Sequence, residues 1–182
     1  MYPSIQTDRL LLRGFTTDDA ADVRILAGAP EIARTTLNIP HPYEVGMAES
    51  WIQSHQRAYA EGAGIIFAIC KQGKGQLLGA IGLTIQSVYR RAELGYWIAL
   101  DSWGKGYATE AARAVVNFGF VKLKLNKIYA THMRQNTASG RIMQKIGMQQ
   151  EGLLRQHVQK DGNYIDLVLY SILASEWISS DE

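Results

Sequence analysis

"ELGYWIALDSWGKGYATEA", residues 93–111, is the stretch on which the fold of this chain turns. Its first half carries the apolar pattern of a strand, read as "AELGYWIAL" over 92–100. Its second half sets Gly104 and Gly106 around Lys105. It then enters a stripe of Ala108, Ala111, Ala112, Val115, Val116 and Gly119, which predicts a helix from about Ala108 to Phe120. Glycine at a helix entry costs backbone entropy, so two of them suggest that something approaches the backbone closely. Successive N–H groups at a helix N-terminus suit a phosphate or pyrophosphate. A plain tight turn from strand to helix is the competing reading of the same glycines.

Two common phosphate loops do not fit. A Walker A loop needs G-x-x-x-x-G-K-[ST], but position 99 is Ala and position 106 is Gly. A dinucleotide fingerprint starting at Gly104 would end on Thr109, and the acid expected about 20 residues later is missing from "KLNKIYA" (124–130).

The rest of the chain sets the frame. Its 182 residues suit a single domain, 1–182, and 47% hydrophobic with 20% charged residues is an ordinary globular mix. A net charge of +2, with dispersed basic residues, argues against a dedicated nucleic-acid binder. Cys70 is the only cysteine, which excludes a disulfide framework and a cysteine-based metal site; a packed core thiol is its expected role. No run approaches the roughly 20 apolar residues of a membrane span. Asp8, Arg9 and Arg13 interrupt the N-terminal apolar stretch, so no signal peptide is expected and the cytoplasm is the expected location.

Outward from the opening stretch, "RLLLRGF" (9–15) reads as a strand, and "TTDDAADVRILAG" (16–28) as a helix with Thr17 at its N-cap. "TLNIPHPY" (36–43) is irregular, and 44–61 is helical by its apolar spacing. "GIIFAIC" and "LLGAIGLTI" are strands around "KQGKGQ". "NKIYATHM" (126–133) is a strand, and "NTASGRIMQKIG" (136–147) a helix. Two final strands flank "KDGN" (160–163), whose Asp-Gly signals a hairpin. The predicted order is β-α-α-β-β-β-α-β-α-β-β, a mixed α/β sheet.

Taken together, residues 93–111 and "NTASGRIMQKIGM" (136–148) resemble the acetyl-CoA-binding core of the GNAT superfamily of N-acetyltransferases. The likeness is closest to the branch of the ribosomal-protein N-terminal acetyltransferases RimJ and RimL. It extends to "TDRLLLRGF" and "DGNYIDLVLYSILASEW", from about Thr7 to Trp177. The resemblance implies an α+β fold of six or seven mostly antiparallel strands with four helices. The strands at 92–100 and 126–133 would splay into a V that holds acetyl-CoA. The diphosphate would lie on the backbone of Trp103, Gly104, Lys105, Gly106, Tyr107 and Ala108, and the pantetheine arm would pair with Trp97, Ile98 and Ala99. Asn136 would touch that arm or an ordered water, against plain helix capping, and Lys145 would reach the nucleotide end, against a solvated helix face. The loop departs from the family's pattern at Trp103, where Gln or Arg is usual.

The same resemblance implies transfer of an acetyl group to a primary amine, by direct attack on the thioester in a ternary complex. Such transfer needs a base for the amine and stabilisation of the leaving sulfur. Glu93 is the first candidate base, against a role as ion-pair partner of Arg90 or Arg91; His132 and His157 are its rivals. Ser139 is the candidate acid, against plain helix capping, because the position of the family's tyrosine acid holds Met143. The acceptor is expected to be a peptide amine, with a ribosomal protein among the candidates, or a small-molecule amine. A homodimer is compatible with the resemblance, while nucleic acid, membrane and metal are not expected. A non-catalytic acyl-CoA-binding sensor is the alternative from another functional class. The stretch 36–43 and the helix after it are expected to wall the acceptor.

Overall fold

Alternation along the strands and helical stripes at period 3.6 together dictate a sheet covered on both faces. The computed structural model describes residues 2–177. Its strands are β1 (Ile5–Gln6), β2 (Leu10–Arg13), β3 (Gly64–Lys71), β4 (Leu77–Gln86), β5 (Arg91–Ile98), β6 (Lys127–Met133), β7 (Gln149–Lys160) and β8 (Asn163–Leu173). Its helices are α1 (Ala20–Ala27), α2 (Pro30–Thr35), α3 (Met47–Ala60), α4 (Tyr107–Val121) and α5 (Thr137–Lys145). The strands form one sheet in the order β1-β2-β3-β4-β5-β6-β8-β7. Every neighbouring pair is antiparallel except β5 and β6.

That parallel junction creates the site. β5 and β6 pair only at Arg91 with Lys127, Ala92 with Ile128 and Glu93 with Tyr129. Beyond it β5 stays on β4 as far as Ile98, while β6 stays on β8 as far as Met133. The two strands therefore part just past Glu93 and open the expected V.

Each face of the sheet has its own core. On one side Val23, Ala27, Ile32, Ala48 and Ile52 from α1, α2 and α3 pack on Ala68, Cys70, Ala80 and Trp97. On the other, Ala111, Ala112, Val115 and Val116 of α4 and Met143 of α5 pack on Leu12, Phe67, Ile81, Leu83 and Leu94. Cys70 is fully buried, as a core thiol should be.

Some elements differ from the sequence reading. β1 and α2 are additional; α2 begins with Pro30 in its first turn, directly after the end of α1. Thr16, and not Thr17, caps the helical entry, and the N-cap of α1 itself is Asp19. Thr16 is extended (φ −115°, ψ 164°), Asp19 closes a capping box with it, and Thr17–Asp19 form a 3₁₀ turn ahead of α1. Asp19 also receives both guanidinium nitrogens of Arg13 at 2.7 Å, which anchors this entry to β2. The Asp161–Gly162 turn has φ of 49° and 78°, the two positive values of a type I′ hairpin.

Candidate active site

The glycine loop is held open from below. Gly104 and Gly106 have φ of 73° and 80°, a region that disfavours side chains. Gly106 is the N-cap of α4, and among the described residues no side chain caps that helix. The N–H groups of the first turn, which no helix satisfies internally, are left for a ligand. Arg9 braces the loop by donating from Nη1 to the Lys105 carbonyl at 3.0 Å and lying over the Tyr107 ring at 4.8 Å. Its Nε donates to Glu110 at 2.6 Å, and Thr7 donates to the same carboxylate at 2.6 Å. Burial works to raise the Glu110 carboxyl, but the bonds from Thr7 and Arg9 outweigh it and hold the group below the usual carboxylate value.

A cavity of about 540 Å³ runs from this loop into the V. Trp97, Ile98, Trp103, Gly104, Gly106, Tyr107, Ala108, Asn136 and Lys145 all line it; Ala99 and Lys105 do not. Ala99 donates its N–H to Leu78 O at 2.8 Å, so its backbone faces β4 and not the V. Backbone groups alternate along an antiparallel pair, so the edge offered to the V belongs to Tyr96 and Ile98. Lys105 turns its ammonium back onto Asp101 O at 2.5 Å. Trp103 donates its indole N–H to Ile98 O at 2.6 Å, which ties the loop to the end of β5 and gives the unusual residue a structural role. Arg34 and Arg141 join Lys145 on the rim, a cationic setting for phosphates. Neither arginine is singled out by any motif.

A second cavity, about 560 Å³, lies on the α1–α3 side and is walled by Leu37, Ile39, Pro40, Tyr43, Met47 and Trp51. This is the stretch expected to wall the acceptor, together with the start of α3. The two cavities share Thr35, Thr36, Tyr96, Trp97, Asn136 and Ser139. Glu93 lines the second cavity, and Thr131 Oγ1 donates to its Oε1 at 3.3 Å. Arg90 and Arg91 are engaged elsewhere: Arg90 donates to Lys124 O and Arg91 to Gln86 Oε1. Among the described residues, Glu93 has no ion-pair partner.

Ser139 stands where the cavities meet. Asn136 caps α5 by accepting the Ser139 N–H at 3.3 Å. Its Nδ2 donates to Ser139 Oγ at 3.1 Å and to Thr35 O at 3.2 Å. Because Ser139 Oγ already accepts from Asn136, its own proton is free to point into the V. Tyr96 donates its hydroxyl to Ser139 O at 3.3 Å. Burial pushes this hydroxyl up to about 12, so it stays a neutral donor. Sequence reasoning missed Tyr96, as it missed Arg9, since neither contact shows as a local pattern.

Of the rival bases, His132 lines the second cavity together with Glu93, and His157 does not. His132 is buried with Nδ1 at 2.8 Å from Met133 O, and a Cβ on Gly140 would stand 2.8 Å from its Nε2, so α5 packs directly on the ring. His157 is exposed on β7 and lines, with Glu93, a third cavity of about 390 Å³. Met143, in the place of the family's tyrosine, is buried.

Comparison with known proteins agrees with this geometry. The model of the acetyltransferase (GNAT) domain family matches residues 9–149. An uncharacterized N-acetyltransferase of Bacillus subtilis, YoaA, is 36% identical over 174 residues, 95% of this chain and 98% of its own. YdaF of the same organism, a putative ribosomal N-acetyltransferase, is 36% identical over 71% of this chain and 70% of its own. The crystal structure of a GNAT-family acetyltransferase from Bacillus anthracis superposes with a TM-score of 0.86 at 27% identity, covering 96% of this chain and 100% of that one. A splayed parallel junction, a glycine loop opening a helix at its mouth and a family model spanning both lead to one conclusion: this chain belongs to the GNAT family of acetyl-CoA-dependent N-acetyltransferases.

Proposed function

We propose that the chain acetylates the α-amino group at a peptide or protein N-terminus, with Glu93 as base and Ser139 as acid. The observation that carries this reading is the meeting of two cavities at Ser139, with Glu93 inside the one that the glycine loop does not serve. Acetyl-CoA lies with its diphosphate on the Gly104–Ala108 backbone and its thioester near Ser139. The amine enters from the Trp51 side, and Glu93 takes its proton, directly or through a water. The nitrogen attacks the thioester carbonyl and the C–S bond breaks; Ser139 gives its proton to the leaving sulfur and is reprotonated by the proton that the acylated nitrogen sheds, so that the amide and the free thiol leave neutral.

Magnitude favours an α-amine. Its pKa is about 7.7–8.0 against about 10.4 for lysine, so at a pH of about 7.5 the α-amine costs under about 1 kcal/mol to deprotonate and lysine about 4 kcal/mol. A site with a single carboxylate suits the easier task. The putative ribosomal role of YdaF supports the same class of acceptor.

The test follows free thiol release and acceptor mass with acetyl-CoA and peptides that carry a free or a blocked N-terminus plus an internal lysine. Acetylation confined to free N-termini is expected, and Ser139→Ala should lower kcat far more than it changes KM for acetyl-CoA. Lysine acetylation on blocked peptides, or binding of acetyl-CoA with no turnover on any amine, would overturn the proposal.

A further inference from the structure

The acceptor cavity is far larger than the amine needs. Among the described residues its lining includes Ile39, Tyr43, Met47 and Trp51, but no lysine or arginine, and Glu93 is the only carboxylate. Trp51 is a fixed wall, with Phe15 at 5.1 Å and His55 at 4.4 Å between ring centroids. Met47, by contrast, is 40% exposed. A serine or alanine side chain beside the amine would leave most of these apolar walls in water. A polyamine would strand its further ammonium groups without carboxylates to pair them.

The floor of the cavity carries a second signal. Gly95 lies on β5 between Glu93 and Trp97, and side chains at alternate strand positions share a face. A Cβ built on Gly95 meets nothing within 4 Å, and its φ lies outside the left-handed region. Neither backbone conformation nor crowding requires glycine here. Its missing side chain is space added to the cavity beside the candidate base.

The geometry points to an acceptor whose amine is flanked by a large apolar group, with Gly95 as the residue that admits it. The inference rests on the proposed acetyl transfer at Glu93 and Ser139. Its natural form is an N-terminus that begins with leucine, methionine or phenylalanine. The apolar side chain fills the space over Gly95, and the peptide leaves through the third cavity, which shares Leu37, Glu93 and Thr131 with the acceptor cavity. A free apolar amine carries the same chemistry without the following chain.

The test measures kcat/KM with acetyl-CoA for peptides alike except for Ser, Ala, Leu, Met or Phe at position one, and for isoamylamine, phenethylamine and spermidine. Leu, Met and Phe should exceed Ser and Ala by at least about tenfold, since each methylene in an apolar pocket discriminates about 10-fold or more. A preference for the apolar free amines over the peptides would keep the inference and identify the source as a small molecule. Gly95→Val, a residue at home in a strand, should cut turnover of Leu and Phe acceptors about tenfold more than that of Ala. Circular dichroism checks that the variant is folded. Equal turnover of all first residues, preference for Ser, Ala or spermidine, or a uniform loss in Gly95→Val would overturn this inference while leaving acetyl transfer intact. Turnover of no amine would remove both.

Discussion

Glu93 occupies the last rung of the β5–β6 ladder, where the backbone is still fixed by pairing and the side chain already faces open space. A surface ion-pair role would need Arg90 or Arg91, and both are engaged elsewhere. Glu93→Gln keeps the size and loses the capacity to accept a proton. Its kcat/KM should fall by about 10²–10⁴, and the deficit should shrink as pH rises and more acceptor arrives neutral. Parallel pH–rate profiles with no deficit would move the base to His132, His157 or solvent. Glu93 and Ser139 could be picked out in the sequence because each sits inside a recognisable stretch. Arg9 and Tyr96 could not: Arg9 meets Glu110 across 101 residues and Tyr96 meets Ser139 across 43, distances that only the fold closes.

At the scale of elements, the proposed function sets the cofactor's diphosphate at the N-terminus of α4. Gly106→Val would place a branched side chain at φ 80°, where any Cβ costs about 1–2 kcal/mol, and beside the Arg9 guanidinium at 3.4 Å. Calorimetry should show coenzyme A binding weakened at least about tenfold in a variant that still folds. Unchanged affinity would detach the loop from phosphate binding. This helix, the strand before it and the Asp161–Gly162 hairpin were all legible, since long periodic runs and paired glycines are strong local signals. α2 was not. Six residues give too little periodicity, and its role comes from where it ends: Thr35 O receives Asn136 Nδ2, which joins the acceptor wall to the start of α5.

Across the whole molecule, the acceptor wall and the sheet are joined through the α1–α3 side, and a buried histidine makes that side sensitive to acid. His55 is 4% exposed, neither ring nitrogen has a hydrogen-bond partner among the described residues, and it sits 5.4 Å from the Phe15 ring and 4.4 Å from Trp51. Burial lowers its pKa from 6.5 to about 4. The unfolded chain therefore binds a proton that the folded chain refuses, and stability falls as pH drops from about 6.5 towards 4. At about 1.36 kcal/mol per unit the full loss approaches about 3 kcal/mol. In melts from pH 7.5 to 4.5, His55→Leu should gain on the parent protein as pH falls, whereas a constant gap in Tm would contradict that assignment. The two large cavities are open to their common junction at once, and the only cysteine is fully buried, out of reach of an acyl group. Acetyl transfer should therefore pass directly from donor to amine with both bound. Initial rates measured across a grid of acetyl-CoA and acceptor concentrations test this most directly. Intersecting double-reciprocal lines, with no acetyl group retained on the protein, are predicted; parallel lines with an isolable acetylated protein would contradict the account.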